Sequence, residues 1–176
     1  VVEIRRSDVE RDAELIKQLD TSFATDTIFD VTSDGRTFRL VEKRVDPPVE
    51  KHFPLDELDT AGEWENAWLA LDLDRPVGVI ATQHSSWNQR VVVWHLYVAT
   101  SHRRQGIARR LLETALGAAT KAGARTAWIE TSNLNVPGVR AYERLGFELS
   151  GLDTTLYDGT PAAGEVALFL SRLLTE

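Results

Sequence analysis

The residues best suited to chemistry are Arg103-Arg104-Gln105-Gly106-Ile107-Ala108, with Arg109 and Arg110 directly after them. Arginines around a glycine at a helix start suit the holding of a polyanion. The first backbone N–H groups of a helix have no partner inside it, and the peptide dipoles add positive potential at that end. Gly106 has no Cβ and Ala108 a small one, so a bulky anion such as a diphosphate can approach the main chain closely. The rest of the chain is acidic, with 20 Lys and Arg against 27 Asp and Glu and a formal net charge of −7. That balance argues against general nucleic-acid binding and fits a cationic substrate. There is no cysteine, which excludes disulfides and a thiolate nucleophile.

Positioning the basic turn takes a strand before it and a helix after it. Arg90 to Val98 (RVVVWHLYV) is β-branched and aromatic and reads as a buried strand. Ile107 to Ala122 reads as a helix: Ile107, Leu111, Leu112 and Ala115 share one face, and Gly123 supplies the stop. Further upstream, Val2 to Arg6 predicts a strand. Ser7 or Asp8 caps a helix running to about Leu19, with Ala13, Leu15, Ile16 and Leu19 as its apolar side. Asp20 to Asp26 reads as a loop or short irregular helix. Thr27 to Val31 and Thr37 to Val45 read as strands joined around Ser33-Asp34-Gly35, the second broken by Asp46-Pro47-Pro48. Lys51 to Glu63 reads as a charged, exposed segment with weak structure.

Trp68 to Leu73 and Val77 to Gln83 predict a hairpin turning at Asp74-Arg75-Pro76, and Ser85 to Gln89 a second turn. After the basic turn and its helix come a strand at Thr126 to Thr131, a helix at Asn135 to Leu145, and strands at Phe147 to Leu149 and Val166 to Leu173. Strands followed by αβα argue an α/β (α+β) domain with a mixed sheet. With no linker or repeat, the expectation is one domain over residues 1–176. No apolar run approaches the roughly 20 residues needed to span a bilayer, and no signal-peptide core is present, so a cytoplasmic protein is expected.

Arg-x-x-Gly-x-Ala after a strand resembles the acetyl-CoA motif of the GNAT N-acetyltransferases. Asn135-Val136-Pro137-Gly138-Val139-Arg140-Ala141-Tyr142-Glu143-Arg144-Leu145-Gly146-Phe147 is similar to their second signature, in the right order and at a suitable spacing. The resemblance implies a mostly antiparallel central sheet flanked by helices, opening at a V-shaped cleft. It implies direct acetyl transfer from acetyl-CoA to an amine, with no metal. Arg103, Arg104, Gln105, Gly106, Ile107, Ala108 and Arg109 would hold the diphosphate. The backbone of Leu96, Tyr97 and Val98 would hold the acetyl carbonyl and pantetheine, which Asn135 would also bond. Tyr142 matches the position of a general acid near the CoA sulfur; the plainer reading is a core aromatic. Glu130, twelve residues before Tyr142, is similar to family carboxylates that act as the base. It is equally open as a ligand of the substrate ammonium or as a partner in a structural ion pair. His95 is a second candidate base, more simply read as a partly buried histidine with its own partners.

The likeness runs beyond these motifs to the streptothricin acetyltransferases. It rests on Asp20-x-Ser22-Phe23-x-Thr25-Asp26-Thr27-x-Phe29, Val45-Asp46-Pro47-Pro48, Ser86-Trp87-Asn88-x-Arg90, Gly151 to Thr160 and Gly164-Glu165-x-Ala167-Leu168. It implies a streptothricin-like cationic amine as acceptor. Asp20, Asp26, Trp87, Asn88, Glu130, Asp153 and Glu165 are then candidate substrate ligands, although turn formation alone accounts for Asp20, Asp26 and Asp153. Relatives carry acidic residues on the strand before the basic turn, and this chain has none between Arg90 and Val98. Another polyamine or peptide amine as acceptor, and a CoA-binding module without catalysis, remain as rivals. The expected assembly is a monomer or a homodimer.

Overall fold

A computed structural model describes residues 1–53 and 64–174. Most of the charged stretch expected to be exposed, residues 54–63, therefore lies outside the described residues. The elements are β1 (Glu3–Arg6), α1 (Val9–Ile16), β2 (Phe23–Ser33), β3 (Phe38–Lys51), β4 (Asn66–Asp72), β5 (Arg75–Ser85) and β6 (Arg90–Val98). After a short 3-10 turn (Thr100–His102) come α2 (Ile107–Lys121), β7 (Thr126–Ser132), α3 (Val136–Arg144), β8 (Glu148–Asp153) and β9 (Ala167–Leu173). The larger sheet has the strand order β1-β4-β5-β6-β7-β9-β8, and β2 with β3 makes a separate ribbon. The pairs β1–β4, β4–β5, β5–β6 and β8–β9 are antiparallel. Among the described residues no helix is long and apolar enough to cross a membrane.

Contacts divide the chain into two compact units, with the boundary inside β7. The first comprises Val1–Ser22, His52–Trp128 and Leu173–Glu176. Its two helices cover opposite faces of β4, β5 and β6. Ile16 and Leu19 pack with Leu69, Leu71 and Val79 on one face. On the other, a Cβ at Gly78 would meet Leu111 Cδ1 at 3.0 Å, so the missing side chain lets α2 sit close to the sheet. The predicted stripe of α2 is buried, joined by Leu116 and Ala119, and Gly123 follows with φ +94°. Asp8 caps α1 through the Arg11 N–H, but this helix ends at Ile16, three residues short of the expected Leu19. Asp12 is buried on α1 because Arg5 grips it with two bonds of 2.7 and 2.9 Å, with Ser7 Oγ and the Asp8 N–H as further donors.

One turn and one strand depart from expectation in this unit. The β4–β5 hairpin turns on Leu73 and Asp74, both left-handed (φ 46° and 64°), with Asp72 opposite Arg75. Two residues at positive φ give the turn whose twist matches the strands, so Arg75 and Pro76 enter β5. In β6 the side-chain alternation breaks. Val93 pairs with Thr82 and His95 with Ala81, leaving Trp94 as an extra residue. Val93 and His95, two apart, consequently face opposite sides of the sheet. The strand is thus not uniformly buried: Val91 and Val93 are, while Trp94 is 42% exposed.

The second unit comprises Phe23–Lys51 and Ile129–Arg172. Its ribbon is longer than expected. The strand β2 begins at Phe23, inside the segment read as a loop, and β3 continues through Pro47 and Pro48 to Lys51. A prolyl nitrogen that faces no partner costs a ribbon nothing, since each of its strands has one unpaired edge. Register explains the rest: Thr25 pairs with Val49 and Thr27 with Arg44, so Val45 to Pro48 bulge opposite Asp26. Buried Asn133 ties the ribbon down. It gives its amide to Phe29 O (2.8 Å), receives the Phe29 N–H (3.0 Å), and accepts the Val166 N–H at 2.8 Å. The strand after α3 also runs further than Leu149, to Asp153.

Candidate active site

In the first unit the basic turn lies between β6 and α2. Arg104 (φ 62°) and Gly106 (φ 78°) are both left-handed, which folds the chain sharply before the helix. Gly106 is the N-cap, so no side chain closes the first turn of α2. A Cβ on Gly106 would meet nothing within 4 Å. The space before the helix end is open, which is the geometry a diphosphate needs. Ile107, 2% exposed, pins the helix start into the core. The guanidinium of Arg103 faces inward: Nε donates to Val98 O at 3.0 Å and Nη2 to Ser22 O. This arginine therefore braces the turn with its side chain. Arg110 Nη2 donates to Val2 O at 3.0 Å and Gln105 Nε2 to Ser101 O at 3.4 Å; these two side chains and those of Arg104 and Arg109 are all exposed.

Asp20 belongs to this brace. Its carboxylate accepts the Ser22 hydroxyl and N–H and the Thr100 hydroxyl (3.1 Å). These bonds, led by the Ser22 hydroxyl, hold its carboxyl below the usual range. Leu96, Tyr97 and Val98 pair with Ile80, Val79 and Gly78 along one edge of β6. The Tyr97 ring stacks on Phe53 at 5.7 Å and lies 5.9 Å from His95. Burial drives the His95 imidazole down to about 4, so it is neutral near pH 7, and its Nδ1 is buried with no partner among the described residues. Trp87 and Asn88 lie far from the basic turn. Gln89 O accepts N–H groups of Arg125 (2.7 Å) and Thr126 (3.3 Å), beyond the C-terminal end of α2. The fifteen-residue helix puts that end ~22 Å from Gly106. Trp87 is 87% exposed there.

In the second unit Glu130 is partly buried near the end of β7. Burial raises its carboxyl, while a hydrogen bond from the Tyr157 hydroxyl and the charge of Lys51 pull it back. Two residues on, and on the same face of the strand, Ser132 donates to Glu165, which also takes Lys51 Nζ. Tyr142, half-buried on α3, has its ring centroid 6.3 Å from that of Phe147. Burial, with the negative Glu130 adding to it, pushes its phenol up to about 12. Asn135 caps α3 by accepting the Gly138 N–H at 3.0 Å, and its amide donates to Thr131 Oγ1 at 2.9 Å. Its side chain is thereby committed within the unit. Asp153 accepts the N–H (2.7 Å) and hydroxyl (2.8 Å) of Thr155, bonds that hold it below the usual range. Asp26, exposed on the ribbon, takes the Thr27 hydroxyl at 3.0 Å and lies 4.0 Å from Arg44.

The structure thus brings Glu130, Tyr142 and Glu165 into one electrostatic neighbourhood, together with Lys51, Ser132 and Tyr157. Sequence reasoning gave those last three no role. Ser132 was findable from its period-two spacing to Glu130, and Tyr157 lay within a quoted segment. Lys51 carried no signal.

The model of the acetyltransferase (GNAT) family matches residues 35–147. The chain belongs to that family. It is 41% identical over 168 residues to a streptothricin acetyltransferase of Streptomyces lavendulae, covering 91% of this chain and 89% of the relative. A streptothricin acetyltransferase of Escherichia coli is 29% identical, over 84% of this chain and 83% of its own length. Among solved structures, a nourseothricin acetyltransferase superposes with a TM-score of 0.90 at 41% identity, covering 99% of both chains. A Bacillus anthracis protein solved with acetyl coenzyme A has a TM-score of 0.81 at 21% identity, again over 99% of both, which speaks for the fold alone. The expected fold class is met: a mixed α/β GNAT fold with a large central sheet. As a GNAT enzyme the protein is an acyltransferase, and acetyl-CoA is the donor of that fold. The open, uncapped start of α2 fits such a donor.

Proposed function

We propose that residues 1–176 act as a single acetyltransferase domain that moves the acetyl group of acetyl-CoA onto an amine of the β-lysine arm of streptothricin-type antibiotics. The observation that carries this reading is the 41% identity to the Streptomyces lavendulae enzyme, sustained over 91% of the chain and so well outside the CoA motifs. The net charge of −7 supports a polycationic acceptor, which an acidic protein attracts. The protein works in the cytoplasm, where the donor is available and where loss of an amine charge would weaken the antibiotic at its ribosomal target.

The start of α2 holds the diphosphate through main-chain N–H groups and the exposed Arg104 and Arg109, with Arg103 fixing the turn. Glu130 takes the proton that the amine must lose before its nitrogen can bond the acetyl carbon. As the carbon–sulfur bond breaks, the Tyr142 hydroxyl donates to the departing sulfur; held at about 12, it keeps its proton at neutral pH. One proton thus passes, in net, from nitrogen to sulfur.

The test is to mix the protein with acetyl-CoA and streptothricin and follow free CoA and product mass. The expected product carries one added acetyl group on the β-lysine arm. Turnover only with other amines overturns the acceptor assignment, and CoA binding without turnover overturns the catalytic reading.

A further inference from the structure

Lys51 has no part in the reaction as written, yet it ends β3 inside the cluster on Glu130. Its ammonium is tied to Glu165, and Glu165 is tied to Ser132, two residues from Glu130 on the same strand face. Both side chains of that ion pair are largely buried, 21% and 13% exposed, so solvent screens the charges weakly. Two tethers set where the positive charge stands: Lys51 pairs with Phe23 at the root of the ribbon, and Glu165 is held by Ser132.

Resting on the reading of Glu130 as the base, we propose that Lys51 is a positioning residue whose ammonium, tethered by Glu165, keeps the Glu130 carboxyl ionised and ready to receive the amine proton. Burial alone favours the neutral carboxylic acid, which cannot accept a proton. Among the described residues, Tyr157 from the β8–β9 connection and Lys51 from β3 act on Glu130, with Glu165 acting through Lys51, and Glu130 in turn acts on Tyr142 of α3. Tyr157 and Lys51 favour the ionised form, and Lys51 is the only one of these groups that is a cation.

The test compares pH profiles of kcat/KM for wild type, Glu130→Gln, Lys51→Met, Lys51→Arg and Glu165→Gln, each checked for folding by circular dichroism. The acid limb should be absent in Glu130→Gln. In Lys51→Met it should move up by about one pH unit, an approximately tenfold loss below the limb with the plateau kept. Lys51→Arg should restore the wild-type position, and Glu165→Gln, which keeps an acceptor for the ammonium but removes a negative charge from the cluster, should shift the limb the opposite way to Lys51→Met. An unmoved limb in Lys51→Met, with Glu130→Gln lacking it, overturns the role of Lys51 alone. A limb that persists in Glu130→Gln overturns the base assignment and the proposal with it. A lower KM for the amine in Lys51→Met with the limb unmoved makes Lys51 a competitor of the substrate cation and also overturns the proposal.

Discussion

Burial raises both the Glu130 carboxyl and the Tyr142 phenol; in the proposed reaction the first serves as base because Tyr157 and Lys51 offset that push, and the second serves as donor because nothing among the described residues does. A carboxylate whose pKa has risen is a stronger base near neutrality so long as it stays ionised, and a phenol held at about 12 keeps its proton throughout the neutral range. Tyr142→Phe should lower kcat by about 100-fold while leaving acetyl-CoA affinity unchanged, read from steady-state kinetics beside a binding titration. Equal kcat in mutant and wild type would remove the phenol from the mechanism. At this scale the sequence was informative where a motif names a residue and silent where partners come from distant segments. The resemblance singled out Glu130 and Tyr142, and the structure sets their charges close enough to act on each other. Their neighbours Lys51 and Tyr157 come from positions 79 residues earlier and 27 later than Glu130, a proximity that only folding creates. Asp20 and Asp153 were offered as substrate ligands and as turn formers, and in the structure both make the hydrogen bonds of turns, with Asp20 also accepting the Thr100 hydroxyl.

Helix α3 exists where it does because Asn135 and Gly138 fit each other. A Cβ on Gly138 would stand 2.3 Å from Asn135 Nδ2, so the small residue makes room for the cap that its own N–H completes. Gly138→Ala should cost ~1–2 kcal/mol, the worth of a lost cap, measured as a lower midpoint in urea. An unchanged midpoint would show that Asn135 re-caps without strain. Two elements had bounds readable from the chain: β6, a β-branched and aromatic run, keeps its predicted ends, and α2, with a periodic apolar stripe, starts at Ile107 with that stripe buried. The misreadings share a physical cause. Pro47 and Pro48 look like strand breakers, but the penalty of a missing N–H applies only where a neighbour needs it. Leu73 at positive φ has no sequence signal, because leucine rarely adopts it. The extra residue Trp94 is equally invisible, since a bulge is a property of two strands and not of one.

At the scale of the whole molecule, the ion pair between Arg5 of β1 and the buried Asp12 of α1 makes stability depend on pH. The carboxyl of Asp12 is held far below the ordinary value of 3.8, chiefly by its bonds from Arg5. Its contribution to stability is therefore complete above about pH 4 and is lost as the pH falls through the lower folded value. Asp12→Asn should lower unfolding stability by ~2 kcal/mol near neutrality, since it leaves a partly buried guanidinium without its counter-charge, and the gap should narrow below pH 4. Urea titrations of both proteins across the acid range check this, and a gap that stays constant down to pH 2 would contradict it.

In the proposed reaction the open start of α2 is the seat of the donor's diphosphate. A crystal structure of the protein soaked with acetyl-CoA tests it most directly. The diphosphate is expected against the main chain of Gly106 to Arg109, with the Arg103 side chain still bonded to Val98 O. Density for the diphosphate at any other place on the chain, with that turn left bare, would contradict it.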